Sequence, residues 1–246
     1  ICECCEANAI ALEAISSESG MSQFEINLKH TEDVLKLADG LVFLKNIIRL
    51  ISRKNGFAAT FMAKPFAFRP GNGIHAHFSL LNENKRNVFD NGTETGSDNM
   101  LSSVGGLLAH MRQSALIFAP HLNSFRRLSP KQHAPLNFTW GYENRTAAIR
   151  IPGGKCSSRR IEHRVAGADT NIYLVLAAIL GAALDGLLHR TRPPQPVLGD
   201  CSYSDIGQED ALPATWFEAI SSFEQGNLIG GALNSVIRDT LTRTNR

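Results

Sequence analysis

The chain has 246 residues, of which 43% are hydrophobic, and its 25 basic and 23 acidic residues give a formal net charge of +2. This length and hydrophobic content allow one large globular domain with a substantial core. The sequence has no long run of lysine and arginine, which argues against binding to a nucleic-acid backbone. The arginines instead concentrate between Arg126 and Arg164, a density that suits small anions such as nucleotide phosphates and carboxylates.

The cysteines and apolar segments indicate a reducing, cytoplasmic setting. Five cysteines, an odd number, lie at positions 2, 4, 5, 156 and 201, and no secretory segment precedes them. Residues 2–5 have no second Cys/His pair at zinc-finger spacing, so we interpret their thiols as reduced thiols on a helix face. The apolar run at residues 173–184 is too short to span a bilayer and includes Gly181, so we expect no membrane segment.

The first sixty residues predict a helix end, two strands, a long helix and a further strand. Residues up to 7 resemble the end of a helix, and residues 9–15 predict a short strand. Thr31 is expected to cap a helix that ends near residue 56, and residues 57–63 are expected to form an apolar strand. Residues 23–28 predict a strand with Gln23, Glu25 and Asn27 on a polar face and Phe24, Ile26 and Leu28 on an apolar face.

Residues 71–80 combine a glycine turn with two histidines spaced two apart. Successive side chains of a strand alternate between its faces, so His75, His77 and Ser79 should share one face while apolar residues occupy the other. The His-x-His pattern alone is a weak sign of a ligand site, since a polar strand face is usually just solvated. The next segments predict a polar loop at 82–99, a helix capped by Ser97 or Asp98 that runs to about residue 118, and a functional loop or flap at 123–135.

The last part of the chain predicts three strands followed by helices. Residues 137–142 and 146–151 should be strands joined by a turn that contains Asn144 and Arg145. Arg160, Glu162 and Arg164 should share the polar face of a further strand, opposite apolar neighbours. Helices are expected from about residue 171 to 190, from residue 212, and from about residue 229 to the last residue, and the chain looks incomplete at both ends.

Three strands that each present acid, histidine or arginine from one face predict a sheet curved around a polar cavity. Carboxylates and imidazoles suit hard divalent ions, and arginines suit phosphates and carboxylates. For Glu25, a solvated strand edge or an ion pair of purely structural value is the alternative. The set expected for ATP-dependent chemistry on a carboxylate is Glu18, Glu25, His75 and Glu162 beside Arg127, Arg145, Arg150, Arg160 and Arg164.

Six sequence blocks, in order, resemble the catalytic domain of the glutamine synthetase family over nearly the whole chain. They are Glu18-x-x-x-Ser22-Gln23-x-Glu25, residues 59–65, Gly71-x-Gly73-x-His75-x-His77-x-Ser79-Leu80, Asn123-Ser124-x-x-Arg127, Asn144-Arg145 through Arg150-Ile151-Pro152, and Arg160-Ile161-Glu162 through Asn171-x-Tyr173-Leu174. The resemblance implies an α+β fold with a curved, mainly antiparallel sheet flanked by helices and a helical C-terminal part.

The resemblance also implies an ATP-dependent ligase that phosphorylates the γ-carboxylate of glutamate, after which an amine or ammonia displaces the phosphate. Two or more Mg²⁺ or Mn²⁺ ions would neutralise the transferred phosphoryl group. By position, Glu18 and Glu25 would hold one ion, and His75 and Glu162 another. Asn27, His77 and Ser79 would contact the nucleotide, Arg145, Arg150 and Arg160 its phosphates, and Gly71, Arg127 and Arg164 the glutamate; Arg145 and His133 would be catalytic.

Three departures from the family pattern bear on function. His133 stands where the family flap has a glutamate that helps to deprotonate ammonium; with residues 140–146 it resembles the γ-glutamylputrescine synthetase branch, which uses an alkylamine. Alternatively, His133 is only an exposed loop residue. The asparagine of the glutamate pocket is displaced, since the chain reads Pro70-Gly71-Asn72. The family's N-terminal small β-domain, and an upstream strand with further metal-binding glutamates, are absent from these 246 residues.

The sequence thus favours a ligase that makes a γ-glutamyl alkylamide over a glutamine synthetase that uses ammonia. By resemblance the active sites lie between neighbouring subunits of a homo-oligomeric ring, a dodecamer, so this stretch alone should be inactive. A noncatalytic relative that keeps the fold as a structural or binding protein is the alternative from another class. The phosphate-facing arginines distinguish the two, because a structural protein has no physical need of them.

Overall fold

The computed structural model describes residues 1–129, 134–201, 211–226, 233 and 235–244 as a mixture of helices and short strands. The first half contains α1 (Cys2–Ala7), β1 (Leu12–Ser17), β2 (Phe24–Leu28), α2 (Val34–Lys54), β3 (Ala76–Phe78), α3 (Asp98–Ala109), α4 (Met111–Phe118) and α5 (Leu122–Arg127). The second half contains β4 (Trp140–Tyr142), β5 (Ile149–Ile151), a 3-10 turn (Cys156–Ser158), β6 (Ile161–His163), α6 (Ile172–His189), α7 (Trp216–Gln225) and α8 (Ser235–Thr244).

The strands form two separate sheets among the described residues. β1 and β2 make an antiparallel hairpin, and the larger sheet has the order β3-β6-β5-β4, in which only β4 and β5 are parallel. The α+β class and the mainly antiparallel character are confirmed. The expectation that all three polar-faced strands share one sheet is wrong, because the backbone of β2 pairs with β1 and not with the larger sheet.

The main core lies between the larger sheet and the helices α3, α4 and α6. Ile149, Ile151 and Ile161 are fully buried on the inner face of this sheet. A smaller apolar cluster of Cys5, Ile10, Leu44 and Ile48 joins α1 and α2 to the hairpin. The hairpin is therefore attached to the body of the protein mainly through α2.

Helices α3 and α6 pack closely because glycines face each other where they cross. A Cβ atom on Gly106 would lie 2.1 Å from the carbonyl oxygen of Ala182, and one on Gly186 would lie 2.2 Å from that of Ser102. The 18 residues of α6 have a mean hydropathy of 1.9, so this helix is long enough and apolar enough to cross a membrane, contrary to the estimate from residues 173–184. Its buried face packs against α3, as expected of a core helix.

Several predicted elements differ from the structure in their boundaries. Residues 57–63 form no strand, because the carbonyl groups of Met62 and Ala63 accept hydrogen bonds from Asn72 instead of from a neighbouring strand. The helix expected up to residue 118 is divided at His110, which ends α3 and begins α4. Phe24 was expected in the core but is 63% exposed at the tip of the hairpin.

Other helix boundaries shift by a few residues. Asp33, not Thr31, caps α2, because its carboxylate accepts the amide hydrogen of Lys36. Ser97 caps α3 as predicted. Helix α5 overlaps the start of the segment predicted as a loop or flap at 123–135, and α7 begins at Trp216 after the cap Thr215, a few residues later than expected. The predicted start of the last helix at residue 229 lies outside the described residues.

Replacing Gly186 with alanine should destabilise the protein, because the new methyl group would collide with the backbone of α3. Overpacking of this kind costs about 1–3 kcal/mol of unfolding free energy, measurable by urea denaturation. Gly40→Ala in α2 is the matched control, since no atom lies within 4 Å of its added Cβ. Removing a glycine from an open helix position should stabilise the protein by about 0.5–1 kcal/mol. Equal effects of the two substitutions would contradict the close packing of α3 and α6.

The carboxylate of Asp185 should contribute stability that depends on pH. Its oxygens lie 2.8 Å from Nε2 of His110 and 3.2 Å from Nδ1 of His189, and the hydrogen bond from His110 is the main cause that lowers the pKa of Asp185. A carboxylate with a lowered pKa stabilises the folded state above its unfolded pKa of 3.8, and this contribution disappears as the pH falls through the folded pKa.

We therefore expect Asp185→Asn to lose about 1 kcal/mol of unfolding free energy at pH 7 and progressively less below about pH 4. The asparagine keeps the shape and one acceptor, so the comparison isolates the charge. Urea denaturation of both proteins across this pH range measures the difference. A difference that stays constant from pH 7 down to about pH 2.5 would show that the charge of Asp185 is not involved.

Candidate active site

Three adjacent strands place His77, Glu162 and Arg150 side by side. His77 of β3 is the register partner of Glu162 in β6, and Glu162 is also the partner of Arg150 in β5. Residues paired across a sheet project to the same face. The predicted alternation at residues 71–80 is also present, since His75, His77 and Ser79 are exposed while the residues between them are partly buried. The faces inferred from the sequence for β3 and β6 are therefore correct, whereas burial does not alternate along β2.

The carboxylate of Glu162 is the centre of this face, with only 2% of its side chain exposed. Its Oε2 accepts a hydrogen bond of 3.0 Å from Arg150, and its Oε1 accepts one from Arg164. Nδ1 of His75 lies 3.4 Å, and Nε2 of His77 4.0 Å, from Oε1. Burial acts to raise the pKa of Glu162, but Arg164 and the other basic neighbours outweigh it, so that the pKa lies below its usual value. Glu162 is thus a buried anion at neutral pH.

The two histidines are held in the neutral form. Although 38% of the His75 side chain and 40% of the His77 side chain are exposed, the surrounding protein removes much of the water from both rings. This desolvation, followed by the charge of Arg164, lowers the pKa of His75 to about 4, and desolvation also lowers the pKa of His77. Nε of Arg160 donates to Nδ1 of His77 at 3.4 Å, which leaves Nε2 of that ring directed at Glu162. Neutral imidazole is the form that can bind a metal ion or accept a proton.

His163, the residue after Glu162, faces the opposite side of the sheet. It is 1% exposed, and its ring centroid lies 4.5 Å from that of Phe118. Burial lowers its pKa to about 3. His163 is therefore a core residue, as the alternation of the strand predicted.

The hairpin contributes a pair of carboxyl groups. Glu25 lies on β2, and Glu18 follows β1, where its amide donates to the carbonyl oxygen of Gln23 at 2.9 Å. A hydrogen bond between the two carboxyl groups is the main cause that raises the pKa of Glu25. The amide of Ser19, followed by Glu25, lowers the pKa of Glu18. The two carboxyl groups are thus close enough to interact directly, and the side chain of Asn27 also hydrogen-bonds to Glu25.

These groups have the right chemistry for a hard divalent ion. Two carboxylates in direct contact repel each other when both are ionised, and a divalent cation bound between them relieves that repulsion. Within the described ranges no group of three His, Cys, Asp or Glu side chains is close enough to hold a metal ion, so Glu18/Glu25 and His75/Glu162 form two separate pairs. Mg²⁺ is usually bound through one or two carboxylates, with waters and substrate phosphates completing its shell, and each pair fits such a partial site.

The glycine turn before β3 closes over Arg127. A Cβ atom on Gly73 would lie 2.5 Å from Nη2 of Arg127, and one on Gly71 would lie 2.6 Å from the carbonyl oxygen of Ala63. Arg127 is 6% exposed and donates to the carbonyl oxygen of Val165 at 2.7 Å. Burial lowers its pKa to about 10, so it remains a cation at neutral pH. Arg127 thus packs directly against the two glycines of the turn. Its contact with the substrate stays a prediction.

Of the other predicted arginines, Arg160 and Arg164 contact His77 and Glu162 of this face. Arg164 is 8% exposed, whereas Arg145 is exposed on its turn and has no hydrogen-bond or ion-pair partner within the part of the chain that the structure describes. Asn144 fixes this turn, since its Oδ1 accepts from Thr146 and its Nδ2 donates to the carbonyl oxygen of Gly199 at 2.8 Å. The predicted catalytic residue His133 lies outside the described residues.

Glu143 is a site residue that the sequence analysis missed. Its Oε2 accepts a hydrogen bond of 2.9 Å from Arg150, and its other oxygen accepts the amide hydrogen of Gly153. Arg150 is therefore held between Glu143 and Glu162. The signal was present in the sequence, because Glu143 directly precedes the Asn144-Arg145 pair, but its pairing with Arg150 depends on the turn between β4 and β5.

Comparison with known proteins identifies the family. A sequence model of the glutamine synthetase catalytic domain matches residues 1–245. Gamma-glutamylputrescine synthetase PuuA of Escherichia coli (strain K12) is 40% identical over 215 residues, which cover 85% of this chain and 46% of the relative. A glutamine synthetase of Pyrococcus horikoshii is 38% identical over 233 residues, which cover 92% of this chain and 52% of the relative. The chain thus spans about half the length of these relatives.

A solved structure agrees with the sequence comparisons. The structure described as a GmaS/ADP complex superposes with a TM-score of 0.90 and 30% sequence identity, covering 100% of this chain and 57% of that one. Fold, motif order and family match therefore lead to one conclusion. This chain belongs to the glutamine synthetase family and corresponds to its catalytic domain.

Proposed function

We propose that this chain is the catalytic domain of an ATP-dependent ligase that joins the γ-carboxylate of glutamate to an amine through γ-glutamyl phosphate. The observation that carries the proposal is the buried Glu162 carboxylate, surrounded by two arginines and two histidines and facing a second carboxyl pair. A face that combines acids for metal ions with arginines for phosphates is what phosphoryl transfer to a carboxylate requires.

Each predicted residue has a role in this proposal. Glu18 and Glu25 would hold one divalent ion, and His75 and Glu162 another; bound Mg²⁺ or Mn²⁺ would supply positive charge to the phosphates of ATP. Arg145, exposed and without a partner in the described chain, is free to meet a phosphoryl group, whereas Arg150 is held in place by Glu143 and Glu162. Asn27, His77 and Ser79 would contact the nucleotide, Arg160 its phosphates, and Gly71, Arg127 and Arg164 the glutamate.

The amine substrate is proposed to be an alkylamine such as putrescine. The support is His133 in place of the acidic flap residue, together with the similarity to a gamma-glutamylputrescine synthetase. A neutral or cationic histidine cannot offer an ammonium ion the fixed negative charge that a carboxylate offers. Ammonia, the substrate of a true glutamine synthetase, is the second candidate, because the Pyrococcus horikoshii relative carries that name at nearly the same identity.

A noncatalytic relative is disfavoured by the electrostatics of the face. Burying Arg127 is costly, because within the described residues its guanidinium donates to backbone carbonyl groups and forms no ion pair, and the exposed Arg145 makes no contact that stabilises the fold. These positions are understandable if anionic ligands bind there.

The proposed assembly rests on the resemblance to the family. We propose a homo-oligomeric ring, a dodecamer, with active sites between neighbouring subunits, in the cytoplasm, with no nucleic-acid or membrane partner. Because the chain spans about half of its relatives, activity is to be measured on the protein with its natural ends.

The amine preference is tested by phosphate release from ATP with Mg²⁺ and glutamate, comparing putrescine, other alkylamines and ammonium. We expect stimulation by an alkylamine at least about tenfold above that by ammonium, since a changed nucleophile pocket alters transition-state binding by more than about 1.4 kcal/mol. Preference for ammonium would identify a glutamine synthetase with an unusual flap. ATP binding without any amine-dependent product would favour the noncatalytic relative.

The metal assignment is tested by Glu162→Gln, Glu162→Ala and His75→Ala. Glu162→Gln keeps the shape but removes the charge at the centre of the cluster, and all three should lower metal-dependent phosphoryl transfer by about 100-fold or more. His189→Ala is the control, because this histidine is exposed and lies at the far end of α6. Unchanged turnover in the Glu162 and His75 variants would refute the assignment.

A further inference from the structure

We propose that Gln23 is a positioning residue that, through Asn72, couples the Glu18/Glu25 pair to the glycine turn at residues 71–73. This inference rests on the proposed function, in which the carboxyl pair holds a metal ion and the turn holds glutamate. The side-chain amides of Gln23 and Asn72 are hydrogen-bonded to each other and join the hairpin to the loop before β3; we call this pair the Gln23–Asn72 tie.

The side chain of Gln23 makes three hydrogen bonds. Its Nε2 donates to the carbonyl oxygen of Gly71 at 2.9 Å and to Oδ1 of Asn72 at 2.8 Å. Its Oε1 accepts from the amide of Gly20 at 3.0 Å. Both amide hydrogens therefore point to the glycine turn, while the oxygen holds the hairpin's own turn. A single side chain thus connects segments almost fifty residues apart in sequence.

Asn72 is fixed on its other side. Its Nδ2 donates to the carbonyl oxygen of Met62 at 2.9 Å, and its backbone amide donates to that of Ala63 at 2.8 Å. The Asn72 carbonyl oxygen accepts from the amide of Ala168 at 3.1 Å. Since its amide group is already bonded at both ends, we infer that Asn72 holds the loop in place and does not itself bind a ligand. This gives a structural role to the asparagine that the sequence placed next to Gly71.

The position of Gln23 between the two acids makes the tie relevant to metal binding. The carbonyl oxygen of Gln23 accepts the amide hydrogen of Glu18 at 2.9 Å, and Glu25 is two residues further along the chain. Ser22, the preceding residue, has a φ of 59°, so the turn is held in a conformation that residues other than glycine rarely adopt. A displacement of Gln23 would therefore move both carboxyl groups.

The sheet topology explains why such a tie is needed. Within the described chain β1 and β2 form their own sheet, so no backbone ladder fixes them relative to β3. The apolar cluster of Leu44 and Ile48 attaches the hairpin through α2, but apolar contacts are not directional. Hydrogen bonds have preferred directions and lengths. The hydrogen bonds of the Gln23–Asn72 tie therefore set the distance between two half-sites, the Glu18/Glu25 pair and the glycine turn at residues 71–73.

The test substitutes a residue of one half-site and measures the ligand affinity of the other. In the protein with its natural ends, Mn²⁺ binding without nucleotide is followed by electron paramagnetic resonance of the free ion, and the KM for glutamate is followed by phosphate release. Asn72→Ala should weaken Mn²⁺ binding about tenfold although Asn72 belongs to the loop, and Gln23→Met should raise the KM for glutamate about tenfold. For each of the two quantities, Mn²⁺ affinity and the KM for glutamate, the double variant should differ from the unsubstituted protein by no more than the more affected single variant does.

Gln113→Ala is the matched control, since this glutamine also makes a side-chain hydrogen bond, 2.6 Å to Nδ1 of His110, but lies in α4. It should change neither Mn²⁺ binding nor the KM. If Asn72→Ala leaves Mn²⁺ binding unchanged, or if the two substitutions are additive, the coupling is refuted. If Gln23→Met does not fold, the Mn²⁺ affinity of Asn72→Ala decides alone. Absence of glutamate turnover in the unsubstituted protein would refute the proposed function, whereas the Mn²⁺ measurement would still decide the tie.

Discussion

The burial of one carboxylate, that of Glu162, constrains the rest of the site. A buried charge is costly unless cations and hydrogen-bond donors surround it. Here β5 supplies Arg150, the end of β6 supplies Arg164, and the segment around β3 supplies the two histidines. The pairing of three strands in one register brings these groups together, so the sheet and the electrostatics of the face depend on each other.

The same arrangement separates scaffold from site. The inner face of the sheet carries Ile149, Ile161 and the core residue His163, packed against helices that approach each other through glycines. This rigid backing is what allows the outer face to hold several like charges close together. The hairpin with Glu18 and Glu25 is a second unit, attached by α2 and by the Gln23–Asn72 tie. The site is therefore composed of two halves, one on the larger sheet and one on the hairpin, and their positions relative to each other must be fixed.

Membership of the glutamine synthetase family and the geometry of the site support the same chemistry from independent directions. The family match depends on the order of the motifs in the sequence. The ion pairs of Arg150 with Glu143 and Glu162 show where the charges lie in the folded chain. The relatives include both a γ-glutamylputrescine synthetase and a glutamine synthetase, so proteins that share this family differ in the amine that they use.

By itself, the sequence determined the alternating faces of β3 and β6, the long helices α2 and α6, and the family. The faces and the helices follow from local geometry, since side chains alternate every second residue in a strand whatever lies beside it. The family, with its grouping of His75 and Glu162, follows from the order of the motifs. Only the tertiary structure decided that the polar strands belong to two sheets and that Glu143 forms an ion pair with Arg150. It also decided that the segment 57–63 accepts a hydrogen bond from the side chain of Asn72 instead of pairing with a strand. Such contacts depend on which distant segments the packing of α2, α3 and α6 brings together, and periodicity within a single segment carries no information about its partners.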